Sequence, residues 1–95
     1  MNEIERNWDC AKRIFAKYNY KIEIDLRESP PGKIVAGREI VQDGKTARFY
    51  VMCTSPYDRF EQWEETRKIN EASMRSQIIT LNRELRECIK TTTTT

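Results

Sequence analysis

The chain has 95 residues, 34% of them charged and 38% apolar, with a formal net charge of +2. A chain of that size makes one small domain with a modest core, for which association is a common supplement. The near-neutral, well-mixed charge offers no basic run of the kind that tracks nucleic acid or anionic lipid. No apolar stretch approaches the ~18 residues of a membrane-spanning helix, and acids at Glu3 and Glu5 without an apolar run argue against a secretory signal.

Residues 3–18 read as an amphipathic helix. Asn2 is placed to cap it, with Glu5 as the reciprocal partner. Ile4, Trp8, Ala11, Ile14, Phe15 and Tyr18 recur at spacings of three and four and form one apolar stripe, while Arg6, Lys12, Arg13 and Lys17 lie off it. At residues 20–27 the period changes to two. Tyr20, Ile22, Ile24 and Leu26 alternate with Lys21, Glu23, Asp25 and Arg27, the pattern of a strand with one face on a core. Pro30-Pro31-Gly32 stops that strand.

Two further strands follow at 33–42 and 45–54, joined by Asp43-Gly44, a dipeptide that favours a two-residue hairpin turn. That turn sets the register: Gln42 opposite Lys45, Ile40 opposite Ala47, Arg38 opposite Phe49 and Ala36 opposite Val51. Glu39 then faces Arg48 as a cross-strand ion pair. Arg38 interrupts an otherwise apolar face, and a bulge at Gly37-Arg38 is the expected repair. The other face carries Val35, Val41, Tyr50 and Met52, apolar groups expected to be covered by the long helix or by another protomer.

Ser55, Pro56 and Asp58 together resemble a helix start, and the spacing predicts one long helix over 56–89. Phe60 and Trp63 would anchor its first half on the sheet. Met74, Ile78, Leu81, Leu85 and Cys88 step by four and three, a heptad stripe expected to join a second copy, with folding back near Ala72-Ser73 as the alternative. Thr91–Thr95 read as a polar, disordered tail beyond a single domain at 1–90. The expected architecture is α+β, in the order α-β-β-β-α, with a three-stranded antiparallel meander.

The chemistry-bearing residues are sparse. There is no histidine, and the glycines at 32, 37 and 44 stand singly. The commonest metal ligand, the usual near-neutral base and a phosphate-cradling glycine loop are therefore missing, and no enzyme, cofactor or metal site is expected. Cys10, Cys53 and Cys88 are odd in number and far apart, which reads as reduced thiols in a cytoplasmic protein. The α-β-β-β-α order is similar in topology to double-stranded RNA-binding domains. That family carries a lysine-rich start to its second helix, whereas Ser55-Pro56-Tyr57-Asp58-Arg59-Phe60-Glu61 places acids there.

The functional expectation is a non-enzymatic interaction protein, a small oligomeric adaptor or inhibitor that binds another protein, of the economical kind encoded by viruses and mobile elements. The residues expected to carry binding are Arg38, Glu39, Arg48, Tyr50 and Met52. Two alternatives stay open: a nucleic-acid binder using Arg38, Arg48 and the basic side chains of the first helix, and a nucleotide or small-ligand sequestering protein with its site at a protomer interface.

Overall fold

The structure, a computed structural model, describes residues 2–26, 32–42, 44–62 and 71–93. Helix α1 (Glu3–Lys17) begins as its sequence requires: the Asn2 side chain accepts from the Glu5 amide at 2.8 Å. It buries Trp8, Ala11, Ile14 and Phe15, together with Asn7 and Cys10, and leaves Lys12 and Arg13 in solvent. Asn19, at φ 63°, turns the chain into strand β1 (Lys21–Asp25). Strands β2 (Lys33–Gln42) and β3 (Lys45–Thr54) form the hairpin, with Gly44 at φ 75° in its turn. A fourth strand, β4 (Phe60–Gln62), adds to β3, and helix α2 (Glu71–Thr93) completes the chain.

The fold class is α+β, and the antiparallel sheet has four strands in the order β1-β2-β3-β4 rather than three. The hairpin register matches the sequence reading along its whole length, from Gln42 opposite Lys45 to Lys33 opposite Thr54. Both helices cover one face of the sheet. Ile34, Ala36, Phe49, Val51 and Cys53 from β2 and β3 meet Trp8 and Phe15 of α1 and Leu81 and Leu85 of α2. Phe15 and Phe60 stack at 5.1 Å between ring centroids, and Trp8 meets Tyr57 at 5.5 Å. Each fully buried phenylalanine contributes on the order of 2–3 kcal/mol.

The helix expected over 56–89 does not form at its start. The Ser55–Pro56 peptide is cis, Tyr57 adopts φ 63°, and Phe60 is in a strand. The reason is tertiary. Tyr57 and Phe60 both turn into the core, at 4% and 1% exposure. The Asn82 side chain of α2 meets the Phe60 backbone twice, accepting from its amide at 2.7 Å and donating to its carbonyl at 2.9 Å. Burial of two aromatics outweighs a favourable local cap. Phe60 thus anchors the sheet from within it; Trp63 lies outside the described residues. At the other end α2 runs through Thr91 to Thr93, so the expected tail is partly helix, with the Thr92 hydroxyl donating to the Cys88 carbonyl at 2.8 Å.

The heptad stripe is spent inside the protomer. Helix α2 lies antiparallel to α1: Cys88 meets Cys10, Glu84 meets Lys17 and Tyr18, and Gln77 meets Tyr20. Leu81 and Leu85 are 2% and 0% exposed, and Ile78 packs at their margin. Leu81, Leu85 and Cys88 are thus taken up in a seam between the two helices of one protomer, and α2 runs unbroken through Ala72-Ser73, where the fold-back alternative placed a break. Met74 is in α2, but its side chain lies outside the described residues. The reduced-thiol reading is likewise corrected for two of the three cysteines. Cys10 and Cys88, 78 residues apart, form a disulfide with their Cα atoms 5.8 Å apart. Helix pairing, which residue spacing does not reveal, brings them within bonding reach.

Candidate functional site

The sheet face turned away from the helices is organised by Arg48. Its position opposite Glu39 follows from the hairpin turn, and its Nη1 donates to Glu39 Oε1 at 3.4 Å. Its other terminal nitrogen donates to Glu23 of β1, and its guanidinium stands 5.8 Å above the ring of its neighbour Tyr50. Gly37 makes room for this arrangement. A Cβ there would stand 2.9 Å from Tyr50 Cε1 and 3.1 Å from both Arg48 Nε and Glu23 Oε1. The residue expected to mark a bulge is instead where three side chains cross a flat strand.

The β2–β3 ladder is unbroken at Gly37-Arg38, so the expected bulge is absent there. Arg38 stays on the helix-covered face, at its margin, with its guanidinium 5.9 Å from the Tyr20 ring centre. A long stem along an apolar surface and a cation over an aromatic ring accommodate the charge without re-aiming the strand. Burial pushes the Tyr20 hydroxyl up to about 12, with Arg38 pulling the other way. That hydroxyl donates to Gln77 Oε1 at 3.0 Å, tying the start of the sheet to α2. The irregularity falls in β1 instead, where Ile22 pairs with Ala36 but Ile24 pairs with Val35.

Of the five residues expected to carry binding, Glu39, Arg48 and Tyr50 form one group. Arg38 joins Glu39 and Arg48 only around the strand edge, where all three line a cleft of about 350 Å3 with Asn19, Lys21 and Gly37. Met52 is elsewhere, in a second cleft of about 350 Å3 beside Thr54, Ser55, Pro56, Asp58, Arg59 and Glu61. Lys21 and Glu23 are the members the sequence reading missed. Their place depends on β1 pairing with β2 across the Pro30-Pro31 segment, which has no turn signature that fixes a register. Among the described residues no group of His, Cys, Asp and Glu side chains could hold a metal ion.

β1 also departs from its alternating pattern in burial. Tyr20 is in the core, but Ile22, Ile24 and Leu26 are 41%, 41% and 52% exposed, and every residue of β1 is exposed. Helices α1 and α2 sit over β2 and β3, so the apolar alternation of β1 has no core beneath it. The sheet therefore ends on one side in a solvent-facing strand with two large apolar side chains, Ile22 and Ile24, and Leu26 just past its end. No protein-family model, curated protein or solved structure matches this chain.

Proposed function

We propose that the protein is a non-enzymatic binding module that docks another protein along β1, as an adaptor or inhibitor does. The observation that carries this reading is the exposed edge itself: Ile22, Ile24 and Leu26 are exposed at a strand that has no neighbouring strand on its outer side among the described residues. An unpaired edge offers backbone donors and acceptors to an added strand, and apolar side chains supply the burial that makes such pairing specific. The irregularity at Ile22–Ile24 and the charges of Lys21, Glu23 and Asp25 guard the same edge against indiscriminate pairing. A second copy of the chain, if it is the partner, would use this edge and not Leu81 and Leu85.

The experiment is capture from the native host with wild-type protein, quantified against two single variants. Ile24→Lys should weaken a captured protein's binding by at least about tenfold, a loss of roughly 1.4 kcal/mol. Ile79→Lys alters an equally apolar, 63% exposed side chain on α2 and should leave binding unchanged. Equal loss with both variants, or with neither, would remove β1 from the interface.

The compartment follows the cystine. A cytoplasmic location was expected from three reduced thiols, and only Cys53 is free. Disulfides persist where the environment is oxidising, so the reading favours such a setting. Alkylation of the protein in freshly lysed, denatured host cells should label one thiol; labelling of three would restore the cytoplasmic placement.

A further inference from the structure

We propose that the cleft at the start of β1 binds a small phosphate-bearing molecule, of about the size of a mononucleotide or sugar phosphate. This site shares Lys21 with the β1 edge, but the argument for it does not rest on the docking reading. Four elements of the chain converge there: the α1–β1 turn with Asn19, β1 with Lys21, β2 with Gly37, Arg38 and Glu39, and β3 with Arg48. The volume of about 350 Å3 lies near the lower end of small-ligand sites, which run from roughly 300 to 1,000 Å3.

The charges are unequally committed. Arg48 is bonded to both Glu23 and Glu39, so it is positioned but largely neutralised. Lys21 and Arg38 make no ion pair among the described residues, and Arg38 is held over the Tyr20 ring. Counting Glu23 and Glu39 against Lys21, Arg38 and Arg48 leaves an excess positive charge, concentrated on the two side chains that make no ion pair among the described residues.

Those two cations differ usefully. An arginine fork gives paired donors in a plane, and a lysine is a mobile point charge. With the side-chain amide of Asn19 they come from two backbone segments, the turn that runs into β1 and strand β2. A phosphate group has three peripheral oxygens and accepts from three directions at once, whereas a carboxylate has two oxygens in one plane. The ring that braces Arg38 is itself fixed by the Gln77 hydrogen bond, which reduces the ordering required when an anion arrives. Gly37 leaves room for Arg48 at the cleft: a Cβ there would stand 3.1 Å from its Nε.

Calorimetric titration with inorganic phosphate, AMP and succinate tests this. AMP should bind saturably with a Kd below about 1 mM, and phosphate more weakly. Arg38→Gln and Lys21→Gln should each weaken AMP at least tenfold. Arg38→Lys, which keeps the charge but loses the fork, should fall between wild type and Arg38→Gln. Lys12→Gln, on the exposed side of α1, should change nothing, with circular dichroism confirming that each variant is folded. Absence of saturable binding by AMP and phosphate overturns the proposal. So does equal binding by succinate, or equal weakening by Lys12→Gln and Arg38→Gln. Failure of the β1 docking reading would leave these results unaffected.

Discussion

Asn82 satisfies both backbone groups of Phe60 with one amide, the task that a neighbouring strand would otherwise perform for β4. Phe60 is in the core, so truncating Asn82 strands a donor and an acceptor away from water. Asn82→Ala should cost about 1–3 kcal/mol in urea denaturation, and Asn82→Asp, which keeps only the acceptor, should cost less at neutral pH. Glu84 illustrates the electrostatic counterpart. It accepts from Lys17 and from the Tyr18 hydroxyl, and these hydrogen bonds hold its carboxyl below the ordinary 4.5. A depressed carboxylate contributes stability above its unfolded pKa and loses it as pH falls through the folded one. Glu84→Gln should therefore lower the Tm near pH 7, and the gap to wild type should narrow on acidification below about pH 4. The same contacts fail at the other extreme as well: Glu84 raises both Lys17 and Tyr18, so the contacts hold at neutral pH and are lost again in strong alkali. The Glu39–Arg48 pair was legible in the sequence because a two-residue turn fixes its register. Glu23, which binds the same arginine from a third strand, was not, because nothing local sets the β1 register.

At the scale of elements, local signals succeeded where the chain solves its problem locally. The α1 cap, its stripe from Trp8 onward, the hairpin register and the β3 strand all formed as their patterns require, whereas Ile4 at the head of that stripe is 46% exposed. They failed where distant packing decides: β4 replaced a good helix start because Tyr57 and Phe60 found the core, and β1 alternated without a core to face. The α1–α2 pairing is of this second kind, and it is reinforced covalently. A bridge across 78 residues restricts the unfolded chain by roughly 4.5 kcal/mol at 25 °C in the loop-entropy view, with measured values for such bridges of about 2–5 kcal/mol. For a domain with a total stability of about 5–15 kcal/mol that is a large share. Cys10→Ser should lower the unfolding free energy by that amount, and reductant should bring wild type to the variant's denaturation midpoint while leaving the variant unmoved. Cys53 offers the internal control. It is fully buried, and desolvation pushes its thiol up to about 12, so it should resist alkylation in the folded protein and react on unfolding.

At the scale of the whole molecule, the decisive question is where a small domain finds its core. The α2 stripe was expected to find it in a second copy, since a helix running from 56 to 89 would outreach the body beneath it. Starting at Glu71 and packed back along α1, α2 instead supplies two of the residues that close the sheet, and its exposed side carries Arg83, Arg86 and Glu87. Replacing Leu81 and Leu85 with glutamate separates the two arrangements. Were the stripe a contact between copies, the double variant would be a folded species of half the mass. With both leucines inside the protomer, each substitution removes a buried aliphatic side chain, itself worth about 2–5 kcal/mol, and asks a carboxylate to enter an apolar core. Together they exceed what a domain of this size can lose. The double variant should show no cooperative thermal transition and no near-ultraviolet circular dichroism, whatever mass light scattering assigns to the wild type. Ile79→Glu, one position outside the seam, should retain the wild-type transition within a few degrees. A folded double variant of reduced mass would return the stripe to the surface and reopen the association it first suggested.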